Sequence, residues 1–530
     1  MNSSRQISLE DRRDYRRGAV LSVRGSVVDA WFPDPIPAFH SELRAGDDGR
    51  IIIEVVNHLD RAWKMKREVK LPYVDFSRPE LRLESCRKEV ELNSLTAPSL
   101  YLAARRITRG TDCALEFDGE GTLVDGVVEM RRFEQDCLLD RVALAGRLTQ
   151  DIMDATACKI VHFHRVAPVD RTKSGSARMA DVLDINEAGF AQSRVFDHDE
   201  LQRFHGAMRV ALSDHAELLD RRSQAGRVRR CHGDLHLRNI CLLDGEPLLF
   251  DCIEFNDEIA TVDVLYDLAF LLMDLWRRGL AGLANLVMNR YFDQMDDEGG
   301  FSLLPFFMAV RAAVRAHVLA TQAAGEGSQA GEAIKEAQSY FRLAETLLSR
   351  QRPRLVAIGG FSGSGKTTIA ERLAPHLGVP PGARIIESDR IRKAMHGVSA
   401  ETRLPQEAYL PEVSQKVYRE MALRADLILA GGGTVIANAV FDRLDDRAMI
   451  EEIATKNGIS FQGVWLTAEA DVLRRRVATR KGGPSDATVE ILARQMDRMA
   501  GAVEWDSVDV EGPPDAIVVS VLEVLERGGR

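Results

Sequence analysis

Residues 360–367 read Gly360-Phe361-Ser362-Gly363-Ser364-Gly365-Lys366-Thr367. The spacing G-x-x-x-x-G-K-[ST] is that of a phosphate cradle. Gly360, Gly363 and Gly365 permit a tight turn, so several backbone N–H groups can point at one anion. Lys366 adds a mobile positive charge for the terminal phosphates, and the Thr367 hydroxyl suits Mg²⁺. Ser364 and Thr368 complete the expected nucleotide contacts. A second group lies upstream: Asp234 and Asn239, within His232-Gly233-Asp234-Leu235-His236-Leu237-Arg238-Asn239, followed by Asp251. An acid that accepts a hydroxyl proton, with an amide and a second acid to hold a divalent ion, meets the needs of phosphoryl transfer from Mg-ATP.

Each group needs a scaffold. Residues 354–359 (RLVAIG) read as a buried strand and 368–377 as a helix, so the cradle sits between strand and helix, where the helix N-terminus adds its own pull on phosphate. Residues 383–387, 434–437, 461–466 and 515–520 read as further strands. Their alternation with helices predicts a parallel sheet covered on both faces. Asp389 stands just past the second strand, at the end where open α/β sheets bind ligands. It reads as a general base or acceptor ligand with Arg392 beside it, and equally as an N-cap of the next helix. Arg476 and Arg480 lie one turn apart on a helical stretch, 473–480, and 482–488 reads as a mobile loop.

For the upstream group, 62–67 reads as a strand with Lys64 and Lys66 on one face. A helix over 79–95 carries Glu89 and Glu91. Residues 127–132 read as a strand, and 140–166, 200–222 and 263–349 as helical, with apolar residues recurring at three and four. The polar stretch 171–199 reads as a loop over an acceptor site. Before all this, 18–32 and 50–56 alternate apolar and polar residues as a small β unit.

The H-G-D-x-H-x-x-N spelling at 232–239, with IEFND at 253–257 and VDVLYDLAFLLMDL at 262–275, resembles the aminoglycoside phosphotransferase and choline kinase group. That resemblance implies a two-lobed, protein-kinase-like fold. It assigns Asp234 as base, Asn239 and Asp251 to the metal, and Lys64, in preference to Lys66, to the α- and β-phosphates. Glu89 becomes the lysine's ion-pair partner, with Glu91 the second choice. Asp267 becomes a structural acid under the loop, and His232 and His236 its hydrogen-bonding supports. Residues 354–530 resemble the small P-loop kinases, such as gluconate, adenylylsulfate and polynucleotide 5′-hydroxyl kinases. Here the resemblance implies that Arg476 and Arg480 close as a lid on the transferring phosphate, and that Asn438 stands where relatives carry Asp. VRGSVVDAWF and GRIIIEVVNHLD, within the first sixty residues, resemble the N-terminal β-barrel of the rotary ATP synthase β subunit and include none of its catalytic part. They fall where the first family usually places a nucleotide-covering hairpin.

A chain of 530 residues exceeds one core. The expected division is a β-rich segment at 1–60, an α+β protein-kinase-like domain at 61–349 and an α/β P-loop NTPase domain with a parallel sheet at 354–530. The net charge of −10 disfavours nucleic acid as a partner. Seven cysteines without a C-x-x-C pair read as reduced thiols in a cytoplasmic protein. Residues 1–18 lack the apolar core of a signal peptide, and the apolar run 264–276 is too short to span a bilayer. The expectation is an ATP- and Mg²⁺-dependent kinase acting on a small-molecule hydroxyl. The alternatives are an ATP-binding regulatory protein with a degenerate kinase-like domain, and a polynucleotide 5′-hydroxyl kinase.

Overall fold

The computed structural model describes residues 19–24, 27–31, 41–45, 51–55, 61–71, 74–111, 114–323, 330–349, 351–480, 482–498 and 503–527. The chain forms two compact units, Met1–Leu138 with Leu248–Ala260, and Leu139–Pro247 with Thr261–Arg530. This partition cuts across the boundaries expected from sequence, because the chain re-enters the first unit at Leu248 and brings Asp251 with it.

In the first unit, β1 (Ala19–Arg24) pairs antiparallel with β2 (Val27–Trp31), and β3 (Ser41–Ala45) with β4 (Ile51–Val55). Each pair is a separate two-stranded sheet. Strands β5 (Arg61–Met65), β6 (Tyr101–Arg109), β7 (Leu115–Phe117) and β8 (Thr122–Arg131) form an antiparallel sheet in the order β5-β8-β6-β7. Helix α1 (Pro79–Asn93) begins with proline at its first turn, where a missing N–H is harmless, and buries Leu83, Cys86 and Glu89. Gly126 on β8 allows its approach: a Cβ there would lie 2.5 Å from the Leu83 Cα.

The second unit opens with a short helix, Leu139–Leu144, followed by α2 (Gln150–Val166), capped by Thr149, and α3 (Gly175–Ala191), capped by Ser174. Helix α3 replaces the loop expected over 171–199. Its buried Met179, Leu183, Asn186 and Phe190 recur at helical spacing, a pattern diluted by small and polar neighbours. Helix α4 (His198–Gln224) follows. Strand β9 (Val228–Arg230) pairs with β10 (Thr261–Asp263) and leads into the 232–239 loop. Helix α5 (Val264–Arg277) is buried over Val264–Leu275. Then come α6 (Ala281–Met295), α7 (Leu304–Ala323) and α8 (Ala330–Leu347). The segment Glu298–Ala323 is long and apolar enough to cross a membrane, but 67% of its most apolar window is buried inside the protein.

After the junction, β11 (Arg354–Gly359), β12 (Arg384–Glu387), β13 (Val435–Asn438), β14 (Ser460–Thr467) and β15 (Asp506–Asp509) form a parallel sheet in the order β12-β13-β11-β14-β15. Helices α9 (Lys366–Leu373), α10 (Ser388–Met395), α11 (Pro411–Ala430), α12 (Leu444–Asn457), α13 (Ala470–Thr479), α14 (Val489–Arg498) and α15 (Pro514–Arg527) alternate with these strands. Val356, Ile358, Ile369, Leu373, Ile436 and Val464 share one core with Val518 and Val521. The strand expected over 515–520 is instead part of α15. Its β-branched run suggested a strand, but Ile517, Val518, Val521 and Leu525 are the buried residues, a helical stripe. The fifth strand is the short, charged Asp506–Asp509.

Candidate active sites

In the first unit, Glu89 is fully buried and gathers two lysines. Lys64 Nζ lies 2.7 Å from Glu89 Oε1 and also pairs with Asp251. Lys66 pairs with the other Glu89 oxygen and with Glu254 at 2.5 Å. Lys66 is thus a buried member of the network; Glu91 is exposed. Burial opposes the charge on Lys64, but Asp251 and Glu89 outweigh it and hold its pKa well above the usual lysine value. Asp251 has φ +64°, a left-handed conformation that disfavours a side chain. Its N–H donates to the Tyr101 hydroxyl at 3.1 Å.

In the second unit, Asp234 and Asn239 face each other across one turn of loop. Asn239 Nδ2 donates to Asp234 Oδ2 at 2.8 Å and to the Asp234 carbonyl at 3.0 Å. That leaves Oδ1 as the amide's ligand atom. The loop is held from beneath. Asp267, fully buried on α5, accepts from Gly233 N at 2.8 Å and His232 N at 3.2 Å and contacts His164 Nε2 at 3.1 Å. Arg311 donates to the Gly233 carbonyl, and Asp274 accepts from Leu237 N. His236 Nε2 lies 3.4 Å from Asp234 Oδ2. Desolvation disfavours the Asp234 charge, but His236, His232 and Arg315 overcome it and keep the carboxyl well below the usual range.

In the nucleotide loop, Gly360, Gly363 and Gly365 all have positive φ. A Cβ on Gly363 would lie 2.8 Å from the Leu473 carbonyl oxygen. Lys366 Nζ donates to the carbonyls of Gly360 at 2.8 Å and Phe361 at 3.1 Å. Burial pulls its pKa down to about 8; Asp389 pulls the other way and Arg480 adds to the lowering. Ser364 Oγ is buried without a hydrogen-bond partner, and Thr368 is exposed in the first turn of α9.

Thr367 Oγ1 donates to Glu387 Oε1 at 2.5 Å, and Asn438 Nδ2 approaches the same two atoms at 3.3 and 3.4 Å. Glu387 was not singled out in the sequence. It ends β12 two residues before Asp389, so Glu-Ser-Asp closing a strand was the available signal. Burial raises its pKa to about 7, against the opposing pull of Arg390. The Thr367 hydroxyl and Glu387 carboxylate are hard oxygen donors, a set that fits Mg²⁺. The orphaned Ser364 hydroxyl and the glycine cradle fit a phosphate chain.

Asp389 is the second residue of α10, and burial raises its pKa despite Arg392, Ser485 and Lys366. Arg392 is itself buried and donates to the Ala408 carbonyl at 2.7 Å. The two lid arginines part company: Arg476 donates to the Val510 carbonyl at 2.8 Å, while Arg480 donates to the Ser485 carbonyl at 3.3 Å and acts on Lys366. The loop expected to be mobile is anchored at Asp486, which accepts from Lys393 and Tyr409 at 2.5 Å and from Leu404 N at 2.9 Å.

Both sites therefore carry the parts of kinase-type domains, and the comparisons agree. The phosphotransferase enzyme family matches residues 74–301, and an AAA domain family matches 355–502. The chain belongs to the family that includes the uncharacterized protein Rv2004c of Mycobacterium tuberculosis (strain ATCC 25618 / H37Rv), with 30% identity over 472 residues, 87% of this chain and 91% of that one. Its P-loop half is similar to adenylyl-sulfate kinase of Myxococcus xanthus (26% identical; 34% of this chain, 89% of that one). Among solved structures it is similar to a gluconokinase from Sinorhizobium meliloti 1021 (24% identical; 34% of this chain, 94% of that chain; TM-score 0.25). The ATP-synthase-like segment matches ATP synthase subunit beta 2 of Syntrophotalea carbinolica over only 49 residues, 9% of this chain and 10% of that one, at 49% identity.

Proposed function

We propose that the protein is an ATP-dependent phosphotransferase with two nucleotide sites, each moving the γ-phosphoryl group of Mg-ATP to a hydroxyl of a small molecule. At the first, Lys64, braced by Glu89, would hold the α- and β-phosphates, with Asn239 and Asp251 on the metal and Asp234 facing the acceptor. A carboxylate held in its charged form orients a hydroxyl, and takes the proton late, as the bond to phosphorus forms. At the second, the glycine cradle, Ser364, Lys366 and Thr368 would hold the triphosphate, with Thr367 and Glu387 on the metal. Asp389 would face the acceptor, and Arg480 would stabilise charge on the transferring group. Arg476 belongs to the same lid helix. Mg²⁺ held by these residues would supply positive charge against the transferring phosphoryl group.

The observation that carries this reading is the meeting of Thr367, Glu387 and Asn438 beside the glycine cradle and its unpartnered Ser364 hydroxyl. Asn438 is no base, but Glu387 supplies the carboxylate that its position lacks. The likeness of the P-loop half to adenylyl-sulfate kinase supports a small acceptor. ATP turnover of Lys366→Ala, Asp234→Ala and the double variant tests the assignment. Each single variant should lose one component and the double variant nearly all. A double variant as fast as the parent overturns it.

A further inference from the structure

The P-loop domain is docked on helix α6 by a buried polar seam. Asn285, Asn289 and Asp293 are spaced four apart, so they share one face of α6. Asn289 Oδ1 accepts from Ile385 N at 2.7 Å, and Asn285 Nδ2 donates to the carbonyls of Pro381 at 2.9 Å and Ala383 at 3.0 Å. Asn289 thus takes one backbone N–H of β12, which lies at the edge of the sheet, and Asn285 takes two carbonyls of the segment leading into it. Arg384, 2% exposed, reaches Asp293 Oδ1 at 2.7 Å and Glu298 Oε1 at 3.1 Å. Arg290 adds a contact to Glu371 on α9 at 2.8 Å.

The seam does not stop at the docking surface. The second Asp293 oxygen lies 3.6 Å from Arg390 Nε, and that nitrogen lies 3.2 Å from Glu387 Oε2. Glu387 Oε1 holds Thr367. Arg390 Nε is buried and has no properly aligned hydrogen bond, so it sits between two carboxylates as a shared cation. A line of four side chains thus runs from α6, in the region matched by the phosphotransferase family, to the threonine of the nucleotide loop.

We propose that Asp293 is a positioning residue for the P-loop site: through Arg390 it orients Glu387 against Thr367, so the metal-binding end of the second kinase is completed by a helix of the first. This rests on reading Lys366 and Thr367 as a nucleotide site. Outer-shell partners of metal ligands typically change metal affinity by about 10- to 100-fold when removed, and Asp293 is such a partner at one further remove.

The test is calorimetric binding of ATP to the full chain, with Mg²⁺ and with EDTA. The second-site isotherm is the one that Lys366→Ala removes. In the parent protein Mg²⁺ should tighten that isotherm. In Asp293→Asn the Mg²⁺ advantage should shrink by about tenfold, with ATP binding in EDTA unchanged, and Asp293→Glu should recover much of it. Arg390→Met breaks the same line without touching Arg384, and should behave like Asp293→Asn even if that variant folds poorly. Glu298→Gln loosens the seam without touching Arg390 and should leave the advantage intact. An unchanged Mg²⁺ advantage in Arg390→Met overturns the proposal, as does an equal loss in Glu298→Gln, which would mark a general loosening. If Lys366→Ala removes no isotherm, the nucleotide-site reading fails instead.

Discussion

The two lysines assigned to phosphate differ in how firmly they hold a proton. Lys64 is held by two carboxylates and keeps its proton far above neutrality. Lys366 is buried against carbonyls and gives up its proton near pH 8. A triphosphate favours the charged form, so binding at the second site must take up a proton once the free lysine has lost it. ATP affinity there should fall as pH rises from about 7 to about 9, by up to about tenfold per unit above the lysine's pKa. Calorimetry in two buffers of different ionisation heat measures the uptake. The binding that survives in Lys366→Ala should be nearly flat over the same range. A pH slope of equal size at both sites would contradict the contrast.

Helix α5 shows how an element far from substrate sets a catalytic loop. Asp267 gathers two backbone N–H groups and a histidine from within a helix buried almost throughout. Asp267→Asn turns an acceptor into a partial donor facing donors, and should destabilise the second unit by about 3 kcal/mol. Turnover that depends on Asp234 should drop, and turnover that depends on Lys366 should persist; denaturant titration and the two activity components check this. The loop itself was legible because its chemistry is contiguous in sequence. Lys64, Glu89 and Asp251 were singled out through the family resemblance, and the fold brings their side chains together. Glu387 was not, since only the fold sets it 2.5 Å from Thr367. Helices α3 and α15 were misread where small residues or β-branched runs masked a helical stripe. The seam has no local signature, because Asp293 and Arg384 become partners only after both domains have formed.

Across the second unit, the seam joins α6 to the P-loop domain through buried polar contacts. Filling the nucleotide loop should therefore slow amide hydrogen exchange in Ala281–Met295 as well as around Lys366, and Lys366→Ala should abolish both effects. Hydrogen exchange with and without Mg-ATP reads this directly; protection confined to 354–527 would contradict it. The same joint has a consequence for survival in a crowded cell. The rim of a parallel sheet is a ready template for a stray strand. Here Asn289 of α6 already takes the Ile385 N–H of the β12 rim, and Asn285 takes two carbonyls just before the strand, so a passing chain meets an edge that is partly occupied. Severing the two halves would uncover it, and the freed P-loop half should clump where the intact protein does not.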